Sequence, residues 1–141
     1  MKGKLYGVGV GPGDPKLMTY KAVETIQKCQ VVAVPKSGNS EQVALNIAKE
    51  FIKNQTLIDC YMPMIRDKQA LRKQHEEVVS EFKGYLDKGQ DIAFLTLGDP
   101  TIYSTYMYIH RLIKEMGYET EIIPGISSIC SVAAALNDSL C

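Results

Sequence analysis

Tryptophan is absent from the 141 residues, and histidine occurs only twice, at His75 and His110. The four cysteines, Cys29, Cys60, Cys130 and Cys141, form no CxxC or CxxH pair. Zinc ribbons and redox motifs draw two ligands from one turn, so neither fits this spacing, and no resident metal is expected. An excess charge of either sign is also missing. Sixteen Lys+Arg balance sixteen Asp+Glu, whereas proteins that bind nucleic acid or an anionic membrane surface usually carry a basic excess. The longest uncharged run, Ile122 to Asn137, is broken by Pro124 and Gly125 and is too short for a transmembrane helix. The start, MKGKLYG, lacks the apolar core of a secretory signal. A cytoplasmic protein with four free thiols is the expectation. At 45% hydrophobic and 23% charged residues, the chain can bury the core of one domain and is not disordered.

The chain alternates short β-rich runs with helical stretches. Strands are predicted over Lys4–Val10, Gln30–Val34, Thr56–Tyr61, Asp91–Leu97 and Glu119–Ile123. The near-continuous Val, Leu and Ile of the first, second and fourth suggest strands covered on both faces. Helical spacing over Thr19–Lys28, Glu41–Lys53, Lys68–Lys88 and Tyr103–Met116 places apolar residues on one face of each, and Gly89 and Gly117 stop the last two. Such alternation predicts an α/β fold, a five-stranded parallel sheet flanked by helices, with right-handed crossovers. After the Pro124-Gly125 break, Ile126–Leu140 reads as a further, small-residue helix with no sheet left to cover. The expected division is an α/β domain over residues 1–124 and the first segment of a second, truncated domain over 125–141. Ile129, Val132, Ala133 and Leu136 share one face of that helix, which leads to the expectation of self-association as a homodimer.

In open parallel sheets ligands bind beyond the carboxyl ends of the strands, so the loops there carry the functional reading. The first is Gly7-Val8-Gly9-Val10-Gly11-Pro12-Gly13-Asp14-Pro15. A dinucleotide fingerprint beginning at Gly7 would need glycine at Pro12, and one beginning at Gly9 would need it at Asp14. Proline also removes a backbone N–H that a pyrophosphate requires. The second strand ends in Val34-Pro35-Lys36, without an acid for a ribose, and no P-loop sequence occurs. The second loop is Leu97-Gly98-Asp99-Pro100-Thr101, where Asp99 followed by Pro100 has the form of a helix N-cap and first position. The third is Pro124-Gly125-Ile126-Ser127-Ser128, where either serine could cap the last helix. Tyr103, Tyr106, Met107 and Tyr108 are helically spaced and read in part as core; His110, four residues after Tyr106, reads as a half-buried polar side chain.

Together, GVGVGPGDPKLMTYKAVETIQKCQVVAVP, LTLGDPTIYSTYMYIHRL and IIPGISSI resemble the tetrapyrrole (corrin/porphyrin) methyltransferases that use S-adenosylmethionine. YMPMIRD (Tyr61–Asp67), YSTYMYIH (Tyr103–His110) and the serines of PGISS are most similar to the branch that methylates C20 of precorrin-2 or cobalt-precorrin-2. The resemblance implies a methyl-donor site lined by Pro12, Leu97, Gly98, Asp99, Ile102, Ser127 and Ser128, a tetrapyrrole partner, and no nucleic-acid or membrane partner. Because the donor has no phosphate, a proline-bearing loop without a pyrophosphate nest suits it. The macrocycle is itself the nucleophile, so no activated Ser or Cys is needed. Asp14, Asp99 and His110 stand as candidates for a base, and the catalytic residues stay open. A sister methylase (uroporphyrinogen-III, precorrin-4 or diphthine type) shares these loops. A Rossmann or flavodoxin-like nucleotide module shares the fold class, and a non-catalytic interaction domain is the third alternative.

Overall fold

A computed structural model describes residues 1–36, 43–62, 66–102 and 104–141. Five strands, β1 (Lys4–Gly9), β2 (Val31–Lys36), β3 (Thr56–Tyr61), β4 (Ile92–Thr96) and β5 (Glu119–Ile123), pair in parallel in the order β3-β2-β4-β1-β5. Helices α1 (Tyr20–Lys28), α2 (Val43–Ala48), α3 (Lys68–Asp87) and α4 (Tyr106–Glu115) connect them, and α5 (Ser128–Ala135) follows.

The period-2 geometry of the strands sorts their apolar residues onto two faces. Leu5, Val31, Ala33, Ile92 and Phe94 pack with Val78, Phe82 and Leu86 of α3 and with Tyr106, Ile109 and Ile113 of α4. Val8, Val32, Val34, Ala93 and Leu95 pack instead with Ala22 and Ile26 of α1 and with Ala44, Ile47 and Ala48 of α2. The order of the strands explains this division. The chain steps one way from β1 to β2 to β3 and the other way from β3 to β4 to β5. With one crossover hand, reversing direction moves the connecting helices to the opposite face. The adjacent strands β1 and β4 therefore send their chains off in opposite directions, which opens a crevice at their carboxyl ends.

Several boundaries differ from the sequence reading, each for a local reason. β2 runs two residues past Val34, through Pro35. It pairs with β4 only over Val31–Ala33 but with β3 as far as Lys36, so Pro35 sits where no β4 acceptor needs its missing N–H. α2 gives way after Ala48 to a 3-10 turn, Lys49–Phe51; the predicted start at Glu41 lies outside the described residues. α4 starts at Tyr106, whose N–H donates to Ser104 Oγ at 3.1 Å; the predicted start at Tyr103 also lies outside them. α5 stops at Ala135, well before Leu140, because Asn137 adopts a left-handed φ of 56°. Its N–H donates to Ala134 O and that of Asp138 to Ala133 O, the bond pair of a Schellman C-cap.

Candidate functional site

Three loops leave the carboxyl ends of β1, β4 and β5 and meet backbone to backbone. Gly11 N–H donates to Gly98 O at 3.3 Å, and Gly98 N–H donates to Gly11 O at 2.8 Å. The third loop lies against the other two at Gly125. A methyl group on Gly125 would stand 2.3 Å from Gly98 O and 2.9 Å from the carbonyl carbon of Gly9, and one on Gly9 would stand 2.6 Å from Gly98 O. These glycines are here because no side chain fits between the strands. Gly98 differs. A methyl group there meets nothing nearer than Ser127 Cα at 3.7 Å, but its φ of +69° is one that other residues rarely adopt. Gly7 lies within β1 instead of the loop, and the Tyr106 ring occupies the space beside it.

Asp99 fastens this junction. The side chain is only 8% exposed. Oδ1 accepts the Gly125 N–H at 2.8 Å, while Oδ2 accepts the Thr101 N–H at 2.9 Å and the Thr101 hydroxyl. Burial pushes the carboxyl pKa up, but the bonds from the Thr101 hydroxyl, the Gly125 N–H and the Thr101 N–H outweigh it and hold the pKa below the ordinary value of 3.8. Asp99 thus closes a turn and ties the β4 loop to the β5 loop. The expected N-cap role is corrected, since α4 begins only at Tyr106 and Thr105 holds its N-cap position.

Pro12, Leu97, Gly98, Asp99, Ile102, Ser127 and Ser128 all line one cavity of about 360 Å³ at this junction, together with Ile129. The volume lies within the roughly 300–1,000 Å³ typical of small-molecule sites. Leu97 and Ile102 line it while remaining 51% and 43% exposed, so apolar surface stands open there. Ser127 occupies the N-cap position of α5 without accepting a backbone N–H; its hydroxyl points at Cys130 Sγ, 3.7 Å away. Ile129 is the lining residue that the sequence reading omitted, although it closes the IIPGISSI run. Gly9 and Gly125 were legible only as turn glycines, because the loop that each one meets is remote in sequence.

Of the three base candidates, only Asp99 reaches the cavity, and both of its oxygens are engaged. Asp14 is exposed and accepts the Lys16 N–H at 2.9 Å. His110 is buried on α4, with Nδ1 2.9 Å from the Tyr106 hydroxyl. Burial first, and then the charges of Lys114 and Arg111, lower its pKa. Among the described residues no group of three or more His, Cys, Asp or Glu could hold a metal ion, and no helix is long and apolar enough to cross a membrane.

The family model for Tetrapyrrole (Corrin/Porphyrin) Methylases matches residues 4–141. A probable cobalt-precorrin-2 C(20)-methyltransferase of Methanocaldococcus jannaschii is 43% identical over 135 residues, covering 95% of this chain and 57% of the relative. The cobalt-precorrin-2 C(20)-methyltransferase of Salmonella typhimurium is 31% identical over 140 residues, again covering 95% of this chain and 57% of the relative. The X-ray structure of a cobalt-precorrin-4 methyltransferase superposes with a TM-score of 0.76 at 28% identity, covering 97% of this chain and 52% of that one. The chain therefore spans little more than half the length of these three relatives.

Proposed function

The chain belongs to the tetrapyrrole (corrin/porphyrin) methylases, and we propose from that premise that it carries the S-adenosylmethionine site of a methyltransferase acting at C20 of precorrin-2 or cobalt-precorrin-2 in corrinoid biosynthesis. The observation that carries the reading is the single cavity formed by Pro12, Leu97, Gly98, Asp99, Ile102, Ser127 and Ser128. Its residues fit the donor: apolar side chains suit an adenine ring, serine hydroxyls and loop backbone suit an amino-acid end, and no phosphate nest is required. Bound there, S-adenosylmethionine would supply an electrophilic methyl group on a sulfonium. The task of the protein is then to align that group with an electron-rich ring carbon and exclude water. Leu97 and Ile102 offer apolar surface to the ligand, and the ionised Asp99 adds negative charge beside a cationic ligand while tying the β4 loop to the β5 loop. In this reading the macrocycle is itself the nucleophile, and among the described residues the three candidates for a base, Asp99, Asp14 and His110, each hold a hydrogen-bond partner.

The C20 assignment rests on the 43% identity to the archaeal relative so named, with a sister methylase of the family as the alternative. A division after residue 124, a homodimer and a reducing cytoplasmic setting belong to the same proposal. They are supported by α5, which has no buried residue and leaves Val132 and Leu136 exposed, and by four free thiols. The experiment is calorimetric titration of the chain with S-adenosylmethionine, S-adenosylhomocysteine and NAD, and incubation of the chain extended to the full length of its relatives with precorrin-2 and cobalt-precorrin-2, the labelled methyl being mapped by NMR; methyl transfer is expected of the extended chain and not of the 141 residues alone. Saturable binding of the first two and not of NAD, with label at C20, is the expected result. NAD binding would overturn the loop argument, and label at another carbon would move the protein to a sister reaction.

A further inference from the structure

A hollow of about 490 Å³ opens between α3 and α4, and a groove of about 380 Å³ continues it toward the carboxyl ends of the two helices. Neither shares a residue with the site above. Leu112 lines both and joins them into one strip. Tyr108, stacked on the His75 ring, is 54% exposed near one end of the strip, and Met116 is 43% exposed near the other. Contiguous apolar surface left open in this way marks a contact site. The charges along the strip are unevenly placed. Lys68, Arg72 and Arg111 line its amino-terminal half with no carboxylate among them, whereas Glu76, Glu115 and Lys83 line its carboxyl-terminal half. Both helices carry the same order, an Arg and one turn later a Glu: Arg72 with Glu76, and Arg111 with Glu115. Arg72 and Glu76 form an exposed 3.6 Å pair within α3, which holds them only weakly. Among the described residues Arg111 and Glu115 form no ion pair.

We propose that this strip is a contact between two copies of the chain, related by a two-fold axis that runs across both helices at the level of Leu112. The proposal rests on the homodimer reading above and gives it a face that does not involve α5. Two such faces can meet symmetrically in two ways. With the axis parallel to the helices, the three cations of one copy would oppose the three of the other. With the axis across them the helices run antiparallel, and the basic half of each copy meets the acidic half of its partner. Arg111 then faces the partner's Glu115 on both sides of the axis, and a guanidinium can take a carboxylate bidentately. Tyr108 meets the partner's Met116, a favourable pairing of ring and thioether, and Leu112 meets the partner's Leu112. At the rim, Lys68 and the partner's Lys83 oppose each other as like charges. Residues 68–83 of α3 extend about 24 Å, and two helices about 10 Å apart make a strip about 20 Å wide. The contact therefore buries about 1,000 Å² in total, at the lower limit for a specific interface, so the dimer is weak, with a dissociation constant in the micromolar range.

Sedimentation equilibrium of the 141-residue chain, at concentrations from about 10 to about 500 µM, tests this by mass action, with circular dichroism to check the fold of each variant. The parent should show a reversible monomer–dimer equilibrium. Arg111→Glu should weaken it roughly tenfold, because carboxylates then oppose each other, and Glu115→Arg should do the same through opposed guanidinium groups. An equimolar mixture of these two variants should associate nearly as tightly as the parent, since each supplies the charge that the other lacks. Misfolding could not produce that rescue. Lys83→Glu should tighten the dimer by turning the repulsion from the partner's Lys68 into attraction. A chain that stays monomeric throughout overturns both this inference and the homodimer reading. A dimer that survives both single variants, or a mixture no tighter than either variant alone, overturns the contact through α3 and α4 and leaves the homodimer reading standing. Loss of that dimer in Val132→Ser/Leu136→Ser would then place it on α5. A failure of Lys83→Glu to tighten the dimer rejects the antiparallel arrangement.

Discussion

Replacing Gly125 by alanine tests the claim that three loops meet with no room for a side chain. The new methyl would stand 2.3 Å from Gly98 O and about as close to the Gly9 backbone as 2.9 Å. A carbon approaching such atoms without repulsion needs more than 3 Å, so the β5 loop must retreat by about 1 Å. The neighbouring atoms are strand-end backbone and cannot swing aside as a side chain would. Retreat also stretches the 2.8 Å bond from Gly125 N–H to Asp99 Oδ1. Overpacking of this kind costs about 1–3 kcal/mol, and a hydrogen bond to a charged group contributes about 1.5–3 kcal/mol. A combined loss of roughly 3–5 kcal/mol is a large part of a domain's total stability. Urea unfolding followed by circular dichroism measures it. The midpoint should fall sharply with the slope retained, since the surface exposed on unfolding hardly changes. Gly98→Ala is the comparison: its methyl has space, so only the left-handed φ penalises it, by about 1–2 kcal/mol. A Gly125→Ala protein within 0.5 kcal/mol of the parent, or one less affected than Gly98→Ala, would refute the close-packed junction.

Asp99→Asn should destabilise the chain by about 1–3 kcal/mol at pH 7, because an amide NH2 would face the Thr101 donors. Its folded-state carboxyl is held below 3.8, so its contribution is fully present above 3.8 and is lost as pH falls through the lower folded value. The gap between parent and variant should therefore narrow in urea titrations at pH 3, and an equal gap at both pH values would count against the assignment. His75→Phe should raise stability by about 1 kcal/mol at pH 7, since it removes an unpaired buried nitrogen and keeps the stack on Tyr108. Burial holds the His75 pKa below 6.5, so the imidazole penalises the fold further as pH falls below 6.5, and the benefit of phenylalanine should grow there. Thermal melts at pH 7 and pH 5 that showed no gain would contradict it. Burial pushes the Cys29 and Cys60 thiols up to about 12, while Cys130 and Cys141 are exposed. A chromogenic disulfide reagent should therefore label two thiols rapidly in the native chain and all four in denaturant.

The division between what the sequence determined and what only the tertiary structure decided follows the range of the forces involved. Strand and helix identities were legible because apolar alternation and helical spacing act within a few residues. β3 and β5 appear with the bounds that their residues suggest, Thr56–Tyr61 and Glu119–Ile123. The reading of the first loop as no dinucleotide fingerprint was equally local, since Pro12 and Asp14 stand where its two registers need glycine. The cavity residues were named from motifs, but their assembly depends on the reversal of chain direction between β1 and β4, which no window of sequence encodes. Tertiary structure also assigned Asp99, whose sequence neighbours suggest a helix cap. Its partner Gly125 lies 26 residues away, and the start of α4 is fixed elsewhere, at Tyr106. For the same reason Gly9, Gly98 and Gly125 look alike in sequence and differ in space: two are required by backbone contacts across the sheet, and one by its own left-handed φ. The hollow between α3 and α4 was the least legible feature. His75 and Tyr108 are 33 positions apart in sequence, and only the packing of two helices on one sheet face stacks their rings.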